Sequence, residues 1–189
     1  MSKSALRKKY LNQRLALSDQ DYALLNRQLV DLFFQSVDLS HIQFLHVFLP
    51  IEKFNEVNTW QIIDRVQEHH AHIKLIIPKV VDQDLSHYVF EEKQQLVKDR
   101  WGIPEPQYGD LISPAEIDLV LVPLLVADHH GHRVGYGKGY YDRFLAQCRS
   151  DTHKIGLSLL PLSEDVIEAE KTDVKLDGCL TANGLFSFS

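Results

Sequence analysis

The run Ile117–Asp128, IDLVLVPLLVAD, constrains the fold more than any other stretch of the chain. It is too short to span a membrane. It is also apolar at consecutive positions, so a strand made from it needs cover on both faces. IQFLHVFLP (residues 42–50), IKLIIPKV (73–80) and HKIGLSLLP (153–161) repeat the pattern. SHYVFE (86–91) reads as a further strand, and the tail ends in a short strand or hairpin.

Helical spacing fills the intervals. Residues 4–17 carry Leu6, Tyr10 or Leu11, and Leu15 on one face. Ser18 followed by Asp21 resembles a capping box and opens a helix bearing Tyr22, Leu25, Leu29, Leu32 and Phe33. Asn58 or Thr59 starts a third helix, through Trp60, Ile63 and Val66, and a fourth runs through Asp142, Phe144, Leu145 and Cys148. DRWGIPEPQYGDLI is read as a loop. Strands alternating with helices predict an α/β fold: a single three-layer domain over residues 1–189, with a mostly parallel sheet and helices on both faces.

Bulk properties narrow the function. The net charge of −6 argues against a nucleic-acid binder. The two cysteines, Cys148 and Cys179, have no ligand-like spacing and fit a reduced, cytoplasmic protein. The N-terminus lacks an apolar signal core, and no apolar run is long enough for a membrane. A monomer acting on small molecules is expected.

The chemistry gathers in RVGYGKGYYDRFL, residues 133–145. Gly135, Gly137 and Gly139 let backbone N–H groups approach an anion without Cβ obstruction, and a helix follows. Lys138 adds a cation. The loop is not a Walker A motif: Gly139 follows Gly137-Lys138, and His132 stands where the first glycine belongs. Nor does glycine at every second position match the dinucleotide fingerprint. Asp142 lies one helical turn after Gly139, and a carboxylate beside phosphates needs a cation between them. Lys138 and Asp142 together point to a nucleotide with Mg²⁺. The structural alternative is a tight strand-to-helix connection with Asp142 as a helix-start carboxylate.

GYGKGYYDRFL, preceded by DLVLVPLLVADHHGHRV, resembles the signature of the 5-formyltetrahydrofolate cyclo-ligase family. The resemblance extends through K-x-x-x-R at Lys3 and Arg7, F-L at Phe48 and Leu49, a loop glutamate at Glu56, WGIPEP at residues 101–106, and a late aspartate at Asp173. Other members have arginine where this chain has Tyr136.

The resemblance implies an enzyme that cyclises 5-formyltetrahydrofolate to 5,10-methenyltetrahydrofolate with ATP as co-substrate and Mg²⁺ as cofactor. It implies an ATP site of Lys3, Arg7, Arg133, Val134, Gly135, Tyr136, Gly137, Lys138, Gly139, Tyr140 and Tyr141. Leu49, Glu56 and Trp101, with residues 136–140 of the glycine loop, take the folate. Asp142 and Asp173 hold Mg²⁺, and Lys138 and Asp142 carry the catalytic role. The alternatives are an ATP-dependent enzyme on another formamide, or a regulator that binds nucleotide or folate without turnover.

Each candidate also has a plainer reading. Lys3 and Arg7 suit a solvated basic face, Glu56 a surface loop, and Trp101 a loop anchor. Of Tyr140 and Tyr141, one suits the core. HHAH (69–72) sits at a helix end. HHGH (129–132) lacks the further ligands of a zinc site, and Cys148 lacks a base.

Overall fold

The computed structural model describes residues 1–99 and 102–188. In chain order the elements are α1 (Lys3–Leu15), α2 (Asp19–Ser36), β1 (Phe44–His46), α3 (Trp60–His69), β2 (Lys74–Val81) and β3 (Asp84–Phe90). There follow β4 (Leu96–Lys98), β5 (Pro104–Pro106), β6 (Leu119–Pro123), β7 (Val126–Ala127) and β8 (Arg133–Val134). The chain closes with α4 (Tyr140–Leu145), β9 (His153–Leu157), β10 (Gly178–Thr181) and β11 (Gly184–Ser187).

Seven strands form the main sheet in the order β11-β10-β9-β6-β1-β2-β3. The five inner strands are parallel, and β3 and β11 close the edges as antiparallel hairpin partners of β2 and β10. Side chains alternate across the sheet, and both faces are buried. Leu45, Leu75, Leu119, Leu121 and Leu157 pack one face against Leu29 and Phe33 of α2 and Ile62, Ile63 and Val66 of α3. Ile76, Val120, Val122 and Cys179 meet Phe144 and Leu145 of α4 on the other. The α/β class with a mostly parallel sheet is as the apolar runs predict.

The runs are cut shorter than their apolar lengths. Residues 42–50 pair only over β1. Val47 N–H adds one bond to Ile76 O at 2.8 Å, and the chain then leaves the sheet with Phe48 and Leu49 still buried. Residues 117–128 divide at Pro123, which lacks an N–H for a ladder. Beyond it, β7 turns away and pairs with β8 as a separate hairpin. Residues 128–132 are its connection, so the glycine stretch follows a short hairpin strand rather than β6 directly. Within the expected loop, Pro104–Pro106 pairs with β4 in a two-stranded ribbon.

Two helix readings change. The buried stripe of α1 is Leu6, Tyr10 and Arg14, while Leu15 is 44% exposed. Helix α4 ends at Leu145, where the Ala146 N–H bonds to Asp142 O and the Gln147 N–H to Phe144 O, leaving Cys148 beyond it. Ser18 caps α2 as expected, accepting from Asp21 N–H. Thr59 precedes α3 without a side-chain cap. Its hydroxyl donates instead to Phe48 O at 2.5 Å, fixing the chain that leaves β1 against the start of α3.

Candidate active site

A cavity of about 880 Å³ lies where the chain leaves the carboxyl ends of β1 and β6, the usual ligand position in open α/β sheets. Phe48, Leu49 and Pro123 contribute from those ends, and Pro78 and Val80 from β2. The structure brings Lys3, Arg7, Leu49, Glu56, Arg133, the whole of residues 134–142 and Asp173 into this one wall. Trp101 lies outside the described residues.

One end is built by the glycine loop. Gly137 and Gly139 have φ of 88° and 69°, left-handed backbone that favours glycine. Space makes the same demand at Gly137, where a Cβ would stand 3.0 Å from the Arg7 guanidinium carbon. Arg7 Nε donates to Gly135 O at 3.0 Å, so α1 lays a cation against the loop. Among the described residues, the N–H groups of Gly137, Lys138 and Gly139 have no acceptor. Lys138 is exposed beside them. Arg143 ties the loop to the β2–β3 turn, donating to Lys138 O, Asp84 Oδ1 and Gln83 O. Free amides with cations on both sides form a cradle for an anion.

The two aspartates line the same wall, each paired. Asp142 Oδ1 accepts from Arg133 Nη2 at 2.7 Å and from Val174 N–H at 3.2 Å. Arg133 also donates to Val174 O. Asp173, the neighbour of Val174, uses Oδ2 to accept from Lys3 Nζ at 2.6 Å and Glu170 N–H at 2.8 Å. Asp142 is therefore neither a lone helix-start carboxylate nor a bare metal ligand. Among the described residues no cluster of three or more His, Cys, Asp or Glu is disposed as a metal site. Among the described residues, Oδ2 of Asp142 and Oδ1 of Asp173 nevertheless accept no hydrogen bond. Two carboxylates of this kind fit Mg²⁺, which takes one or two with phosphate oxygens.

The other end centres on Glu56, which is 3% exposed. Its Oε1 accepts from Tyr136 O–H at 2.6 Å and its Oε2 from Ile51 N–H at 2.7 Å. Burial pushes the carboxyl above its ordinary pKa, against the two hydrogen bonds and the charge of Arg14. Phe54 stacks on the Tyr136 ring with centroids 5.5 Å apart, giving the carboxylate an aromatic flank. Tyr141 spans the cavity wall and both core clusters, so core and site share it.

Sequence reasoning missed Arg14 and Phe54. Arg14 had a signal, the four-residue spacing from Leu6 through Tyr10; Phe54 had none. Asp128 organises the HHGH turn. Asp128 accepts from the His130 and His132 N–H groups at 2.9 Å each and from Ile167 N–H at 2.8 Å, and its Oδ2 lies 3.2 Å from His132 Nδ1. Burial pushes the Cys148 thiol up to about 11, the reverse of nucleophile activation.

Fold and cavity together are those of an α/β enzyme on small molecules, with an anion cradle at one end and a buried acceptor carboxylate at the other. The family model for the 5-formyltetrahydrofolate cyclo-ligase family matches residues 1–182, and the chain belongs to that family, as an enzyme of the ligase class. The 5-formyltetrahydrofolate cyclo-ligase of Mycoplasma pneumoniae is 28% identical over 178 residues, covering 94% of this chain and 96% of its own. That of Mus musculus is 35% identical over 98 residues, 48% of each chain. The solved structure of Aquifex aeolicus 5,10-methenyltetrahydrofolate synthetase superposes with a TM-score of 0.81 at 28% identity, covering 99% of this chain and 93% of that one. The Mycoplasma pneumoniae 5,10-methenyltetrahydrofolate synthetase gives 0.77 at 26% identity, covering 96% and 99%.

Proposed function

We propose that this chain is a monomeric, cytoplasmic, single-domain enzyme that closes 5-formyltetrahydrofolate to 5,10-methenyltetrahydrofolate, consuming ATP with Mg²⁺ and releasing ADP and phosphate. The observation that carries the reading is the continuity of one cavity from the free amides of the glycine loop to Glu56. It can hold a phosphate chain and a pterin in line. No helix among the described residues is long and apolar enough to cross a membrane.

The N5-formyl group is an amide whose oxygen leaves poorly. Phosphoryl transfer from ATP to that oxygen makes the formyl carbon electrophilic. The N10 lone pair then attacks the carbon, phosphate departs with the oxygen, and the N10 proton is lost to solvent. No protein nucleophile is needed, so the chain's work is alignment and charge stabilisation.

The N–H groups of residues 137–139 and the Lys138 ammonium take the charge that spreads over the phosphoryl oxygens. Arg7, Lys3 and Arg133 add positive charge from behind the loop. Glu56 accepts from the pterin N–H edge, with Leu49 and Tyr136 beside the ring. Asp142 and Asp173 would hold Mg²⁺ through the oxygens that accept no hydrogen bond among the described residues, and the ion would supply charge neutralisation for the phosphates.

The test is direct. Purified protein with the folate, ATP and Mg²⁺ should raise the near-ultraviolet absorbance of the methenyl bridge, with one ADP formed per folate. Methenyl formation at equal rate without ATP sinks the phosphoryl-transfer reading. ATP turnover with the folate unchanged points to another formamide substrate, and binding of both without turnover to a regulator.

A further inference from the structure

The mechanism above leaves a buried arginine unused. Arg14, on the inward stripe of α1, is 4% exposed. Its Nε donates to Phe54 O at 2.7 Å, its Nη1 to Leu124 O at 3.0 Å, and its Nη2 to the Tyr136 hydroxyl. Tyr136 donates onward to Glu56 Oε1. The direction of this relay is forced. Guanidinium only donates, so the phenol oxygen accepts from it, and the single phenol proton is left for Glu56. The two carbonyls hold the guanidinium in place, so the relay has a fixed anchor.

We propose that Arg14 is a positioning residue for the folate, aiming the Tyr136 hydroxyl at Glu56 and supplying the charge that keeps Glu56 an acceptor for the pterin N–H edge. The inference rests on the reading of this cavity as a folate site. Glu56 holds one protein donor on each oxygen, so lone pairs remain on both for the ligand. A protonated Glu56 would meet the pterin N–H groups as a competing donor.

Among the described residues several groups face Glu56, and Lys53 of the preceding turn lines the same cavity. Arg14 comes from α1, and Tyr22 from α2 donates to the Glu56 main-chain carbonyl at 2.7 Å. Tyr136 faces it from the glycine loop and Tyr141 from α4, while Glu52 of the preceding turn adds negative charge beside Tyr22. Among the described residues, Arg14 lowers the carboxyl's pKa by its charge, in opposition to burial. Its removal shifts the balance toward the neutral acid.

The experiment compares Arg14→Met, Arg14→Lys and Tyr136→Phe, each alone and with Glu56→Gln. KM for 5-formyltetrahydrofolate and for ATP is measured separately from pH 6 to 9, with ¹³C titration of the glutamate carboxyls in the free protein. Arg14→Met is expected to raise the folate KM about tenfold at pH 7, as for a lost charge-assisted bond. The ATP KM should stay within about twofold. The acidic limb of kcat/KM for the folate and one glutamate titration should move up together by about one pH unit. Arg14→Lys should recover part of both shifts, and neither variant should add to Glu56→Gln.

Equal rises in both KM values, an unmoved acidic limb, or a full Arg14→Met effect in the Glu56→Gln background would each overturn the inference. If Arg14→Met fails to fold, Tyr136→Phe decides: it keeps both carbonyl anchors of Arg14 and breaks the relay, and an unchanged folate KM overturns the proposal. A wild-type protein inert toward the folate refutes the functional reading instead. The carboxyl titration then judges Arg14 alone, and an unmoved Glu56 resonance refutes its part.

Discussion

Lys3 and Asp173 share an ion pair of 2.6 Å across 170 positions of sequence, fastening the start of α1 to the segment before β10. Burial works against the Lys3 charge, but its bonds to Asp173 and Glu170 outweigh that and hold its pKa above the ordinary lysine value. Burial likewise pushes Asp173 up, while Lys3 and the Glu170 N–H bring it below its ordinary range. Lys3→Met is expected to lower kcat/KM for ATP by about 10- to 100-fold, the span of a charge-assisted bond. The pair is partly exposed, so its loss should move Tm by only a few degrees. A deletion of residues 1–7 tests this less well, because it removes Leu6 from its buried contact with Tyr10, Val126 and Val134. Normal ATP kinetics in Lys3→Met would make the pair a structural clasp only.

Asp142→Asn keeps the shape that accepts from Arg133 and Val174 and removes the charge. We expect a Mg²⁺ requirement raised by about tenfold or more, because a neutral amide is a weaker ligand for a hard cation. Circular dichroism should be unchanged, with a modest loss of Tm from the uncompensated Arg133 charge. A variant that is unfolded at every Mg²⁺ concentration would assign Asp142 to structure. An unchanged Mg²⁺ titration would remove it from the metal site.

The parallel sheet was legible because strands buried on both faces must be apolar where they are covered, as β6 is along its length and β2 is over Leu75–Ile77. Strand ends were less legible. Pro123 was in plain view, yet nothing local says that the apolar residues after it pair with β8 rather than β9. The glycine-loop end of the cavity could be read from one contiguous stretch, since three glycines and a lysine carry it. The Glu56 end could not. It is assembled from α1, a turn, and the glycine loop, and Arg14 acts there through a hydroxyl 122 positions away. The pairing of Asp142 with Arg133 and of Asp173 with Lys3 was likewise invisible, because the first depends on how α4 meets β8 and the second on how α1 meets the segment before β10.

Lys138→Ala tests the cradle itself. The side chain is exposed, so no packing is lost and stability should stay within about 0.5 kcal/mol. The ATP KM should rise several-fold to tenfold with the folate KM unchanged, since the ammonium lies beside the free amides of the loop and far in sequence from Glu56. Equal ATP kinetics in wild type and variant would leave the anion to the backbone amides and Arg7.

The last prediction concerns pH and the core behind the site. His46 of β1 is fully buried with neither ring nitrogen hydrogen-bonded, and Nδ1 of His87 in β3 is equally unpaired. Their rings lie 5.2 Å apart and both pack on Phe144. Burial pushes both pKa values down, His87 to about 4, and the neighbouring ring disfavours charge on His46 further. In the unfolded chain a histidine titrates near 6.5. Above that value both states are neutral and the full stability is present. As pH falls below it, the unfolded chain binds protons that the folded chain refuses, so stability declines until the folded His87 titrates near 4. For His87 alone this interval is worth about 3 kcal/mol. Urea midpoints at pH 7.5 and 4.5 should therefore converge in His87→Phe relative to wild type, by most of that amount, with carboxylate effects common to both proteins. An identical pH dependence in the two proteins would mean that His87 is hydrated or paired in solution.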